Sequence, residues 1–332
     1  ANIIKIEPPS GGDQMRNRVL ESQFSDIGMA AGFLAMNIGK RSLGLDIKSE
    51  KGKEILFALI EKSDVILHNF RAGVVDRLGL DYDSVRAINP SIVYTVISGF
   101  GAKGPRSADP AYDGAVQAAA GMMANNGTAE SGPLRTGYMP VDLMTGMTAA
   151  YATTAALLRK QKTGKGQMVD VAMLDCAITL GSANFSRSEV DDIPDMLIGN
   201  QSITSAPTAS SFPTAEGSIL TAAIMPNHVE AFFDEIGLNE MLNDPKFATR
   251  EARIENKEIV RDAMIEALKS DTAENWEKRL APRGVPVAKI NSVKETARLE
   301  QLQYRNILTA VPAAKGMANG YRLPGAPFTN SE

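Results

Sequence analysis

From Ile3 to about residue 180, short apolar runs alternate with longer stretches of helical spacing. Residues 3–7, 42–47, 65–67, 92–97 and 168–171 read as strands, each brief and bounded by polar or glycine-containing turns. Residues 49–62 place Ile55, Leu56, Leu59 and Ile60 on one helical face, with Ser49 as the cap. Residues 143–160 and 172–184 are longer and mostly apolar, the pattern of buried helices. Apolar strands that alternate with helices predict a parallel sheet covered on both faces. The expectation is an α/β, doubly wound large domain over residues 1–190.

Beyond it the pattern changes. Residues 191–217 are polar and broken by Pro194, Pro207 and Pro213, the composition of a linker. A strand at 218–224, a helix at 227–236 and charged helices to about 280 outline a smaller α+β domain over 218–283. From Gly284 the order strand, helix (291–302), strand predicts that 284–332 returns to the large domain. The chain enters a strand directly at Ile3 and stops after a Pro324-Gly325-Ala326-Pro327-Phe328 turn, as expected of a portion of a longer protein.

Composition narrows the function. Of 332 residues 44% are hydrophobic, enough for a full core, and 35 basic against 39 acidic side chains give a net charge of −4. That balance argues against nucleic acid as a partner, which needs a basic face. No run approaches the roughly 20 apolar residues of a membrane span, and no secretory leader opens the chain, so a cytoplasmic protein with no membrane partner is expected. One cysteine, Cys176, rules out a metal site built on several thiolates, and two histidines, His68 and His228, leave little material for a histidine-rich one, so no metal is expected. Cys176, in an apolar helix, and Trp276 both read as packing.

Three segments carry candidate chemistry. Gly99-Phe100-Gly101-Ala102-Lys103-Gly104 fits the dinucleotide fingerprint and follows a strand, which raises an NAD-dependent dehydrogenase as one hypothesis. That site needs a helix opening on the glycines, and Pro105 and Pro110 oppose one. A glycine-rich ligand loop, with Gly99 and Gly101 at a strand's carboxyl end, is the reading preferred. Asn69-Phe70-Arg71 leads from another strand into a short helix with Arg77 and Leu78. Its two guanidiniums suit phosphate or are simply solvated surface charges. Asp142 follows Pro140 and precedes an apolar helix: either a helix cap or a carboxylate nucleophile kept ionised by the helix N-terminus. Asp113, after Tyr112, reads as the cap of the next helix.

Taken in order, these segments resemble the class III CoA-transferases, the group of formyl-CoA and carnitine CoA-transferases. The resemblance rests on Ile3–Asp13, Asn37–Lys48, Asn69–Leu80, Ser98–Pro105, Tyr112–Gly121, Gly137–Gly146, Thr163–Asp175 and Gly284–Val287, in the family's order along almost the whole chain. It implies a Rossmann-like large domain, a small domain and an interlocked homodimer. It also implies a strand and helix ahead of this segment and a further stretch after it. Asp142, in Asp-x-x-Thr-Gly, would be the nucleophile, forming aspartyl anhydride and aspartyl-CoA thioester intermediates. Arg16, Lys48, Asn69, Phe70, Arg71, Arg77, Leu78, Gly99, Gly101 and Tyr112 would contact coenzyme A. Coenzyme A and acyl-CoA would enter as substrates beside a free carboxylic acid, with no permanently bound cofactor. The related α-methylacyl-CoA racemases carry a catalytic histidine where this chain has Tyr112, which disfavours a racemase. A non-catalytic CoA-binding module is the remaining alternative.

Overall fold

The computed structural model describes residues 1–17, 24–313 and 316–329. They fall into two units: Ala1–Met122 with Thr136–Asp191 and Leu299–Glu332, and Met123–Arg135 with Asp192–Arg298.

The first unit is α/β with parallel sheets. Ile3–Glu7 pairs in parallel with Lys40–Gly44, from Ile3 opposite Lys40 to Glu7 opposite Gly44. Val93–Ser98 lies between Val65–His68 and Gln167–Ala172, parallel to both. The single continuous sheet expected from the alternation is thus seen as two parallel sheets of two and three strands. Ile6 from one and Ile66 from the other pack on the same apolar cluster of Leu56, Ile60, Leu80, Val85, Ile92, Tyr94 and Val96. The middle strand is buried over Val93–Val96, as a strand covered on both faces must be. The helix Glu50–Glu61 starts where Ser49 accepts from the Gly52 amide at 3.1 Å, so the local cap signal is sound.

The long helix Pro140–Thr163 lies on the three-stranded sheet, and two contacts fix its direction. Thr153 Oγ1 meets Thr95 Oγ1 at 2.7 Å in mid-strand, and Lys160 reaches Asp64 at 2.8 Å just before Val65. The helix therefore runs opposite to the strands. Its first turn lies about 16 Å from Thr153 at the helical rise, whereas the strand runs only about 10 Å from Thr95 to Ser98. Asp142 accordingly stands beyond the carboxyl ends of the strands.

The second unit has a core of its own, built on Phe212, Ile219, Phe232, Phe233, Met264, Leu268, Trp276 and Leu280. A three-stranded antiparallel sheet places Ser218–Thr221 between Ser211–Pro213 and Val287–Lys289. Two boundaries differ from the sequence reading. The segment 191–217 is not a linker throughout, because Ala206, Thr208, Ala209, Ser210 and Phe212 are buried in this unit. The chain also leaves the unit at Leu299 rather than 284, because Val287–Lys289 is a strand of its sheet. Residues 123–135 belong here too, where the Gly199 amide bonds to Gly127 O at 2.7 Å. Among the described residues no helix is long and apolar enough to cross a membrane.

Candidate functional site

Parallel strands put their exits on one side, and two of the three candidate segments leave there. Asn69, Phe70 and Arg71 follow Val65–His68, and Gly99 and Gly101 follow Val93–Ser98, whose Val96 is opposite His68. Crevices beyond the carboxyl ends of parallel strands are where open α/β sheets bind ligands. Asp142 joins this side through the long helix.

The turn after Val65–His68 is fixed by His68. Its Nε2 meets Tyr94 Oη at 2.7 Å, its Nδ1 accepts from the Phe70 amide at 3.2 Å, and Tyr94 donates onward to Leu80 O at 2.7 Å. This order of donors requires a neutral imidazole with its proton on Nε2. Burial pushes the His68 pKa down, which keeps the ring neutral, and pushes the Tyr94 phenol up to about 12. His68 is thereby a structural histidine. Arg71 precedes the short helix Val74–Leu78 and Arg77 lies in it, both exposed and without an ion-pair partner among the described residues. Phe70 is 41% exposed beside them. Lys48 is exposed as well, at the exit of Lys40–Gly44, while Leu78 turns inward onto the apolar cluster.

The glycine loop is built for close approach. A Cβ on Gly99 would sit 2.2 Å from the Ala111 Cβ, so only glycine lets 99–111 fold back on the strand end. Gly101 has φ of 96° and donates to Ser98 Oγ. No helix opens on these glycines; the next begins at Asp113. The pyrophosphate-binding geometry of a dinucleotide site is therefore absent from this loop, and the dehydrogenase hypothesis loses its basis.

Arg16 has another use. Its Nε and Nη2 donate to Glu7 at 2.7 and 2.8 Å, and Nη1 donates to Gly28 O at 3.2 Å. Its guanidinium also lies 3.9 Å over the Phe33 ring. With its fork committed, Arg16 is a structural arginine rather than a free phosphate ligand. Glu7, 3% exposed, also accepts from Ser42 Oγ and the Asp13 amide. The Arg16 hydrogen bonds lead these in holding its pKa down at about 2, against the opposing effect of burial.

At the tip of the long helix the capping expectation is overturned. The N-cap position is Met139, Asp142 is three residues into the chain beyond it, and its side chain caps nothing. The cap comes from elsewhere in the sequence. Asp113 Oδ2 accepts from the amides of Val141 at 2.9 Å and Asp142 at 3.0 Å. Asp113 is 7% exposed and its own helix takes no cap from its side chain. Gln117, 1% exposed, donates to the other Asp113 oxygen and to Thr136 Oγ1, and accepts from the Thr136 amide at 3.1 Å. Thr136 in turn donates to Tyr138 O at 2.9 Å, so one network rooted on the buried Asp113 and Gln117 holds the chain that enters the helix. Although Asp142 as a residue is exposed, partial burial of its carboxylate, and then the charge of Asp113, raise its pKa above the usual aspartate value. This reverses the expectation that helix donors hold Asp142 ionised. The next turn explains the rest of the motif: Thr145 is buried and bonds Val141 O at 2.7 Å, while Gly146 leaves open space where a Cβ would stand. Tyr112 is 72% exposed, ahead of Asp113.

Comparison with known proteins fits this arrangement. The family model described as CoA-transferase family III matches residues 1–332. The acetyl-CoA:oxalate CoA-transferase of Acetobacter aceti is 33% identical over 329 residues, 98% of this chain and 81% of that protein. The succinate–glutarate CoA-transferase of Agrobacterium fabrum is 31% identical, over 98% of this chain and 82% of its own. A crystal structure of a CAIB/BAIF family protein from Brucella suis superposes with a TM-score of 0.86 at 29% identity, covering all of this chain and 86% of that one. The chain belongs to CoA-transferase family III and is a CoA-transferase enzyme.

Proposed function

We propose that this enzyme moves coenzyme A from an acyl-CoA to a short free carboxylic acid, with Asp142 as the covalent carrier. The observation that carries the reading is a carboxylate beyond the strand exits, with a raised pKa and no cap to make. A carboxylate freed of donors is a better nucleophile than one saturated by them. In the first step an Asp142 oxygen attacks the thioester carbonyl, the C–S bond breaks and its electron pair leaves on the coenzyme A thiolate. The thiolate then attacks the Asp142 carbonyl of the mixed anhydride, and the donor acid departs as carboxylate. The acceptor carboxylate attacks the resulting aspartyl thioester, releasing thiolate again. Attack of this thiolate on the acceptor's carbonyl forms the new acyl-CoA and regenerates the Asp142 carboxylate. No proton is gained or lost.

Coenzyme A is assigned to Lys48, Asn69, Phe70, Arg71 and Arg77, with the acyl end toward Gly99, Gly101 and Tyr112. The guanidiniums of Arg71 and Arg77, exposed and unpaired among the described residues, support the phosphate end of this assignment. A Rossmann-like large domain belongs to the same reading, supported by the parallel strands and by the cluster shared by Ile6 and Ile66. So does a homodimer, supported by the apolar stripe of Leu143, Met147 and Tyr151, 46%, 63% and 77% exposed.

The test is an exchange assay: acetyl-CoA or succinyl-CoA offered with oxalate, glutarate or mesaconate, and new acyl-CoA followed by chromatography. Exchange with at least one pair, lost in Asp142→Asn, is the expected result. Coenzyme A binding without exchange by any pair would point instead to a non-catalytic binding module.

A further inference from the structure

The network of the buried Asp113 has no place in the covalent steps above, yet it ends on the backbone of the nucleophile. Asp113 accepts from the Val141 and Asp142 amides, and Gln117, Thr136 and Tyr138 brace it from the other side. A helix start normally offers these amides to its own residues or to an anion. Here a second carboxylate, distant in sequence, occupies them. We propose that Asp113 is a positioning residue for the transfer reaction, which denies the Asp142 carboxylate the donors of its own helix and sets a fixed negative charge beside it.

This inference rests on the reading of Asp142 as nucleophile. The consequence is a ground state that gains when Asp142 is acylated. Anhydride or thioester formation removes the Asp142 charge and with it the repulsion from Asp113, whereas the hydrogen bonds of Asp113 are unchanged throughout. Interactions that penalise the free carboxylate and not the acylated one favour the chemical step rather than binding. The pKa direction of Asp142 agrees with this. Other titratable groups stand on the elements packed on the long helix: Asp175 on Met173–Leu180, Asp170 on Gln167–Ala172 and Tyr94 on Val93–Ser98. Asp170 accepts from the Ala102 amide and Tyr94 donates to Leu80 O. Asp113 is the group whose charge acts on Asp142.

The experiment moves the charge while keeping the hydrogen bonds to the helix amides and between positions 113 and 117; only the one from Gln117 to Thr136 Oγ1 is given up. In the double variant Asp113→Asn with Gln117→Glu, the new amide oxygen still accepts from the helix amides. Its NH2 donates to the carboxylate introduced at position 117, and the negative charge stands one residue further from Asp142. Two readouts are taken. The first is the 13Cγ NMR titration of Asp142, identified by its absence in Asp142→Asn; it needs no substrate. The expected result is a shift of the Asp142 titration to lower pH in the double variant. The second is the pH profile of exchange, whose acid limb should move to lower pH while kcat falls and KM for acyl-CoA holds within about twofold. Asp113→Ala, which also frees the helix start to move, should lose about 100-fold in kcat, the scale of a misplaced reacting group. Asp113→Glu should recover part of that loss. An Asp142 titration identical in wild type and double variant would overturn the proposal. So would an acid limb that stays in place, or a loss carried by KM alone. Should the double variant not fold, Asp113→Asn alone is titrated and the same shift is required. Retention of exchange by Asp142→Asn would instead sink the nucleophile assignment and leave the titration to decide the Asp113 effect by itself.

Discussion

Two carboxylates in the first unit lie near the ends of regular elements and are tuned in opposite directions. Glu7, at the close of the strand Ile3–Glu7, takes two hydrogen bonds from Arg16, one from Ser42 and one from the Asp13 amide. Its pKa falls to about 2. Asp142, in the first turn of the long helix, meets no donor that its helix could have given, and a like charge stands beside it. Its pKa rises. A carboxylate saturated with donors is locked in its charged form and serves structure. One that is starved of them is the better candidate for chemistry, and on the proposed reading the fold assigns these two roles to the same functional group.

The comparison breaks most sharply under replacement of each carboxylate by its amide. Asp142→Asn should lower exchange by about 10⁴-fold or more, on the order expected when a covalent nucleophile is removed, and steady-state rates on the best substrate pair will show it. Glu7→Gln should leave the chemistry nearly intact and instead cost roughly 3 kcal/mol of stability in urea unfolding, as Arg16 loses its partner. The sign with pH follows from the lowered pKa. The Glu7 contribution is present in full above the ordinary value of 4.5 and is lost as pH falls toward about 2, so wild type and variant should converge in acid.

Smaller effects sharpen the contrast. Arg71→Ala and Arg77→Ala should each raise KM for acyl-CoA about tenfold and flatten its salt dependence, with kcat nearly unchanged. A fall in kcat without a change in KM would remove these arginines from the phosphate assignment. The smallest effect is the most distinctive. A raised carboxylate pKa is a penalty on the fold at pH above that pKa, and it vanishes below the unfolded value. Asp142→Asn should therefore be slightly more stable than wild type at neutral pH, by less than about 1 kcal/mol after solvent screening. That gain should disappear in acid, as the Glu7→Gln loss does, so the two variants differ in sign at neutral pH and both converge with wild type at low pH.

The residues differ in how far their sequence neighbours disclose them. Ile3–Glu7 and the helix capped by Ser49 are legible because their signals are local: an apolar run, and a cap three residues before its amide. Residues 206–212 read as part of a linker because Pro207 and polar side chains stand there, and tertiary contacts bury them: the pairing of Ser211–Pro213 with Ser218–Thr221 and the bonds of Thr208 with Ala223 and Thr221. Arg16 is legible as an arginine after a glycine turn, yet its use depends on Glu7, fixed by a tertiary contact. Asp142 is legible through its motif, but not its electrostatics. The residue that caps its helix lies 28 positions away from Val141, and no local pattern announces that Asp113 caps a helix other than the one it begins.

The central claim is that Asp142 is acylated during turnover. Enzyme incubated with a competent acyl-CoA, quenched with hydroxylamine and digested for mass spectrometry should yield the Asp142 peptide as its hydroxamate, with none formed when acyl-CoA is omitted. Sustained exchange with the Asp142 peptide unmodified would contradict the account.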